Sequence, residues 1–225
     1  MGVFSKLAKH MRFIARKYLF GFDIPLEPYF ATPESKLWFT EALASCRYYV
    51  EFGSGGSTCL AARLGKPFVT VESDKKFLRA VKDKIVSVGY YNPDRQSFHY
   101  ADVGFTGPLG KPVYFLKLSG QRKANFRRYS DFPLPPHGSL GLPDLVLIDG
   151  RFRVACALKS IQALQDSEGW LIVVDDYGKR ESYEVIKKFA HEVRRIGHMA
   201  VFQKKSDIDA AELSAAIKRF ELDIS

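Results

Sequence analysis

Cysteine is scarce in this chain of 225 residues: Cys46, Cys59 and Cys156 are the only three, and none lies in a C-x-x-C spacing. An odd number without that spacing supports neither a disulfide framework nor a thiolate zinc site, and buried free thiols are the simpler expectation. Long apolar runs are missing too. No stretch approaches the roughly 18 uninterrupted apolar residues of a spanning helix. Near the N-terminus Lys6, Lys9, Arg12, Arg16 and Lys17 interrupt what a leader peptide would need as its apolar core, so a soluble, cytoplasmic protein is expected. There is no Gly-Lys-[Ser/Thr] and hence no phosphate-cradling P-loop. Internal repeats and low-complexity tracts are also lacking. The remainder is ordinary globular composition, 46% hydrophobic and 26% charged, which excludes disorder, collagen and a pure coiled coil.

Positive charge is in excess, at a formal +9. Clustered Lys and Arg gain affinity for polyanions by releasing counterions, but here they are spread over the first twenty residues, Arg122, Lys123, Arg127 and Arg128, and Lys187, Lys188, Arg194 and Arg195. Solvated faces account for such runs, and nucleic acid is not the expected partner.

Residues 3–20 place Phe4, Leu7, Met11, Ile14 and Tyr18 at alternating spacings of three and four with basic residues alongside, which predicts a basic amphipathic helix. Residues 1–30 are read as an extension whose helix docks on its own domain, pairs with a second subunit or lies on an anionic membrane surface. The M-G-x-x-x-[ST] acylation pattern fails, because Lys6 holds the hydroxyl position. Thr32-Pro33-Glu34 then reads as an N-cap with proline in the first turn, opening a helix to about residue 44.

From there strands and helices alternate through one domain, residues 31–225. Strands are predicted at 48–52, 68–72, 97–101, 145–149, 170–174 and near 199–203, and helices at 56–64, 74–88, 153–164 and 180–195. Strands this apolar, separated by amphipathic helices, predict an α/β fold: a Rossmann-like, doubly wound, mostly parallel sheet covered on both faces. Residues 103–142, rich in Gly, Pro and aromatic residues, are too long for an ordinary connection. They follow the third strand on the carboxyl edge, where open α/β folds bind ligands, and are the candidate substrate lid.

The first strand ends in Glu51-Phe52-Gly53-Ser54-Gly55-Gly56-Ser57-Thr58. Glycines there let the backbone turn sharply beside a ligand, and the following helix contributes free N–H groups. The acid before the glycines suits a cationic ligand better than a pyrophosphate. Glu72 closes the second strand, where a carboxylate can accept both hydroxyls of a ribose. Asp102 closes the third, Asp149 the fourth and Asp175-Asp176 the fifth. Five strands with acids at one edge are not explained by solubility alone.

With these residues in place, the sequence resembles the class I S-adenosylmethionine-dependent methyltransferases from about Pro33 to Gln203. The resemblance implies that Glu51, Gly53, Ser54, Gly55 and Ser57 hold the aminocarboxypropyl end of S-adenosylmethionine, with Ser57 in place of a third glycine. It further implies that Glu72 binds the ribose, that Asp102 meets the adenine amino group with Val103 as an apolar neighbour, and that Asp149 lies where methyl meets acceptor. Asp149 is followed by Gly150-Arg151-Phe152-Arg153 rather than by the Pro-Pro-aromatic of amino-methylating enzymes.

Asp149, Asp175 and Asp176 are similar instead to the metal ligands of catechol-type O-methyltransferases, with Asp176 in place of an amide. This implies a divalent cation (Mg, Mn or Co) that orients a hydroxyl and lowers its pKa. Close carboxylates need a cation, and Arg151 or Arg153 is the alternative to an ion. The base lysine of that group is replaced by Phe152, which leaves His137 in the insertion as one candidate. Arg151 and Arg153 would clamp an anionic acceptor. The expected activity is O-methylation of a small molecule or a sugar hydroxyl. The competing readings are an RNA methyltransferase and a noncatalytic nucleoside-binding or scaffold module.

Overall fold

The structure, a computed structural model, describes residues 21–113, 117–133, 141–178 and 180–224. The N-terminal amphipathic helix, Tyr114, Phe115 and His137 lie outside the described residues.

Among the described residues seven strands form one sheet: β1 (Tyr49–Phe52), β2 (Phe68–Glu72), β3 (Gln96–Tyr100), β4 (Leu145–Ile148), β5 (Leu171–Val174), β6 (Ala190–Ile196) and β7 (Met199–Lys204). Their order is β3-β2-β1-β4-β5-β7-β6. The first five are parallel, while β7 runs antiparallel to both β5 and β6. Helices α1 (Pro33–Ser45), α2 (Gly56–Arg63), α3 (Lys75–Ser87), α4 (Gly120–Tyr129), α5 (Arg153–Leu164) and α6 (Ala210–Phe220) cover it. Alternation along the strands sends Val50, Phe52, Val146 and Ile148 into one core with α4, α5 and α6, and Tyr49, Leu145 and Leu147 into another with α1, α2 and α3. Burial on both faces explains why these strands read as continuous apolar runs. None of the described helices is long and apolar enough to cross a membrane.

Local signals set the helix starts. Thr32 Oγ1 accepts from Ser35 N at 3.2 Å, with Pro33 in the first turn. Asp74 Oδ1 accepts from Lys76 N at 3.0 Å and Phe77 N at 3.1 Å at the start of α3. Chain order reverses between β1 and β4, and the crevice at their carboxyl ends is where a doubly wound sheet receives its ligand.

Three departures from the sequence reading have physical causes. The helix expected over 180–195 is a 3-10 segment, Glu181–Lys188, followed by edge strand β6. Ile196 pairs with Met199 across a two-residue turn, and Gly197 at φ 54° supplies the positive dihedral such a hairpin needs. A hairpin fixes its first strand immediately before the turn, which overrides helical spacing. Helix α6 was not expected, although Leu213, Ile217 and Phe220 follow a helical stripe and Asp209 caps it. Third, the 103–142 stretch contains α4, whose Phe126 and Tyr129 are fully buried in the core. That helix is part of the sheet's cover.

Candidate active site

The turn after β1 is built by close backbone approach. Gly53 has φ 98°, and a β-carbon on it would lie 2.6 Å from Gly150 N. Gly150, at the end of β4, would in turn thrust a β-carbon to 2.0 Å from the Tyr129 hydroxyl. Residues at both strand ends therefore have to be glycine. At Gly55 a β-carbon would meet nothing within 4 Å, so this part of the turn faces open space.

Glu51 is fully buried on the opposite face of β1 from Phe52. It accepts hydrogen bonds from Tyr49 Oη at 2.7 Å, Ser57 Oγ at 2.8 Å and the Thr58 hydroxyl. Burial pushes its carboxyl pKa up, while these hydroxyls pull it down. Strand alternation thus turns Glu51 inward, where it joins Tyr49, Ser57 and Thr58 at the base of the glycine turn. Ser54 joins the turn to β2, its N–H donating to Glu72 Oε2 at 3.2 Å.

Glu72 is buried at the end of β2. Its Oε1 accepts from Ser73 N at 2.6 Å, Asp74 N at 2.8 Å and Ser73 Oγ at 3.0 Å, while Oε2 accepts from Ser54 N and, at 3.4 Å, from Ser54 Oγ. Burial raises its pKa against these donors. Over it folds a hairpin-like segment, residues 105–113, in which Thr106 bridges Pro112. Asp102 is exposed, with Oδ1 accepting from Gly104 N at 2.8 Å and Tyr100 Oη at 3.1 Å. It borders a cavity of about 440 Å³ shared with Val71, His99, Arg128 and Phe132. Val103 is fully buried in the core cluster that contains Phe126.

Asp149, Asp175 and Asp176 meet around Arg153. Its guanidinium lies 3.1 Å from Asp149 Oδ1 and 3.4 Å from Asp176 Oδ2. It also donates to the backbone carbonyls of Asp175 at 2.5 Å, Asp149 at 3.0 Å and Gly150 at 3.0 Å. Among the described residues no group of acids, histidines or cysteines is placed to hold a metal ion. Arg153 stands as the cation beside these acids, the alternative to an ion that the sequence left open, and its donors face its own chain. Asp176, in a left-handed conformation at φ 52°, lies also within 3.8 Å of Arg180 Nη2 and 3.9 Å of His198 Nδ1. Asp175 is buried, and its Oδ1 has no hydrogen-bond partner among the described residues.

Asp149 differs from its neighbours. Burial, with the charges of Asp175 and Asp176, pushes its carboxyl up to about 7 despite the opposing pull of Arg153. The side chain nevertheless keeps 37% of its surface open. A carboxyl at that value exchanges a proton near neutrality, as a general base must. Arg151 donates Nε to Leu109 O at 3.0 Å, and its backbone N–H donates to Tyr129 Oη at 3.2 Å. The sequence reading missed Tyr129, Thr106 and Gly110. The only hint of Tyr129 was the Phe126-x-x-Tyr129 spacing in an otherwise polar segment.

No protein-family model matches the chain, and no curated protein matches it. Among solved structures it is similar to a methyltransferase-like protein of Silicibacter pomeroyi DSS-3, at 27% identity and a TM-score of 0.67 over 88% of this chain and 99% of that one. Looser likenesses are to an O-methyltransferase of Streptomyces achromogenes in complex with S-adenosylmethionine (14% identity, TM-score 0.48, 91% of this chain and 100% of that one). A further one is an O-methyltransferase of Bacillus cereus in complex with S-adenosylhomocysteine (16% identity, TM-score 0.44, 96% and 76%).

Proposed function

We propose that this chain, which has the class I methyltransferase fold, is an S-adenosylmethionine-dependent methyltransferase that methylates a hydroxyl of a small molecule or sugar. The observation that carries the reading is the likeness to the Silicibacter pomeroyi protein over 88% of this chain, joined to an acid-tipped sheet edge with open space beside Gly55. The residues fit the cofactor in kind. Gly53 to Gly55 make a turn that a ligand can approach closely, and Glu72 lies one strand away at the same edge. When bound, the cofactor supplies an electrophilic methyl on a sulfonium that departs as a neutral thioether. Everything else falls to this chain's own side chains.

Asp149 takes the proton of the acceptor hydroxyl onto its carboxylate as the oxygen bonds to the methyl carbon. Arg153 keeps enough of that carboxylate ionised near pH 7 for this to happen. Arg151, half-buried beside it, offers a guanidinium to an anionic group on the acceptor. The rate advantage then comes mainly from holding acceptor and methyl in line and excluding water.

Calorimetry tests the cofactor half. Wild-type protein is expected to bind S-adenosylhomocysteine, and Glu72→Ala to weaken it about tenfold to a hundredfold. That range corresponds to the roughly 1.5–3 kcal/mol of hydrogen bonds to a charged acceptor. A folded wild-type protein that binds neither S-adenosylhomocysteine nor S-adenosylmethionine would sink the reading. Since Arg153 supplies the cation of the acidic cluster, excess chelator is expected to leave methyl transfer unchanged across a panel of hydroxylated metabolites and glycans. Turnover that vanishes in chelator and returns with magnesium would reverse that assignment.

A further inference from the structure

Three observations meet in residues 105–113. First, Gly110 lies against the ligand-facing acid of β2: a β-carbon on it would be 3.2 Å from Glu72 Oε1 and 2.7 Å from Ser73 Oγ. Ser73 Oγ donates to Gly110 O at 3.1 Å while also lying 3.0 Å from Glu72 Oε1. With the single Ser73 hydroxyl proton committed to Gly110 O, four donors, Ser54 N, Ser54 Oγ, Ser73 N and Asp74 N, already match the about four lone-pair sites of the Glu72 carboxylate. A sugar hydroxyl therefore has to displace one of these donors or the Gly110 segment that lies against them.

Second, the segment is pinned at separate points to both sides of the crevice. Thr106 Oγ1 lies 3.0 Å from Asp74 Oδ2 at the start of α3, and Leu109 O accepts from Arg151 Nε at 3.0 Å at the end of β4. Third, its central residue is held in a conformation that leucine rarely adopts. Leu109 has φ 57° and ψ 35°, and its side chain is 84% exposed, with Phe105 beside it in sequence at 83%. Left-handed backbone at a non-glycine residue persists where surrounding contacts impose it, and two bare apolar side chains on one short segment gain nothing from this arrangement.

We propose that residues 105–113 form an inhibitory strap that occupies the sugar-binding side of Glu72 and sequesters Arg151, and that cofactor entry releases both together. The proposal rests on the methyltransferase reading of Glu72. Its consequence is that Arg151 becomes available to an anionic acceptor only after the cofactor has displaced Gly110. The strap thereby couples the two halves of the site through one segment.

Competition between strap and cofactor lowers apparent affinity by the fraction of molecules in which the strap is open. Loosening either pin is expected to tighten binding. Thr106→Val keeps the side chain's shape and removes its hydroxyl, and Arg151→Met keeps its length and removes the donor to Leu109 O. By calorimetry and stopped-flow binding of S-adenosylhomocysteine, each variant is expected to bind about threefold to tenfold more tightly and associate faster than wild type. The sign is diagnostic for Arg151, because a residue that merely attracted the carboxylate of S-adenosylhomocysteine would weaken binding on removal. Affinities equal to or weaker than wild type in both variants would overturn the strap while leaving the methyltransferase reading intact. Absence of binding in all three folded proteins would overturn both.

Discussion

Asp149→Asn is expected to lower kcat about a hundredfold to ten-thousandfold, the range lost when a positioned general base is removed, while S-adenosylhomocysteine affinity stays within about threefold. The substitution keeps the side chain's shape and deletes the proton acceptor together with the charge that faces Arg153, so folding of the variant is checked alongside its rate. In the wild type the base has to be ionised, and burial holds its carboxyl up to about 7. Activity is therefore expected to fall as pH drops through about 7 and to level off above it. The Asn variant should show a low, flat profile over the same range. Methyl-transfer rates at saturating cofactor between pH 5.5 and 9 decide the matter. A variant that keeps the wild-type rate, or the same inflection near 7, assigns the base elsewhere.

How much of this site could be read from the sequence depended on how local each signal was. Gly53 and Gly150 constrain one another across two strands 97 residues apart, yet each declared itself, because glycine after an apolar run marks a turn wherever its partner lies. The strand-end acids were visible for the same reason. Their roles were not. The inward turn of Glu51 is settled by strand alternation together with Tyr49, Ser57 and Thr58, partners that a linear motif does not distinguish from bystanders. The choice between a metal ion and an arginine at Asp149, Asp175 and Asp176 depended on where one guanidinium points. Arg153 opens α5 four residues beyond Asp149, but Asp149 directly follows β4 and a turn through a left-handed Phe152 separates the two, so the turn and not helical spacing brings the side chains together. Strand β6, misread as helix beside a β7 that was expected as a strand, and the strap held by Thr106 and Arg151, are long-range arrangements with weak local marks. Gly197 alone announced the hairpin.

The buried arginine also makes the acidic cluster a stability switch, and Arg153→Met exposes it. Removing one partner of a buried ion pair typically costs about 3–5 kcal/mol, because the other charge is left uncompensated. The lower end applies here, since Asp149 and Asp176 are 37% and 48% exposed and water screens part of their repulsion. Proton linkage gives the sign. A carboxyl whose folded pKa stands above its unfolded value favours folding below the unfolded value and loses that advantage as pH rises through the folded one. Asp149 and Asp175 are already raised by burial with Arg153 opposing the shift, so its loss raises them further. The deficit of the variant should accordingly be small below about 7, where the carboxyls hold protons in both proteins, and grow as pH rises through 8 toward the raised pKa of the variant. Urea unfolding of both proteins at pH 8 and pH 5 measures this. The gap between them is expected to be about 3 kcal/mol at the higher pH and clearly smaller at the lower. Arg153→Lys should recover only part of it, because one ammonium cannot replace a planar fork that reaches two carboxylates and three carbonyls. A deficit independent of pH would mean that Arg153 acts through packing and its bonds to the carbonyls alone, with the three acids kept apart by other means.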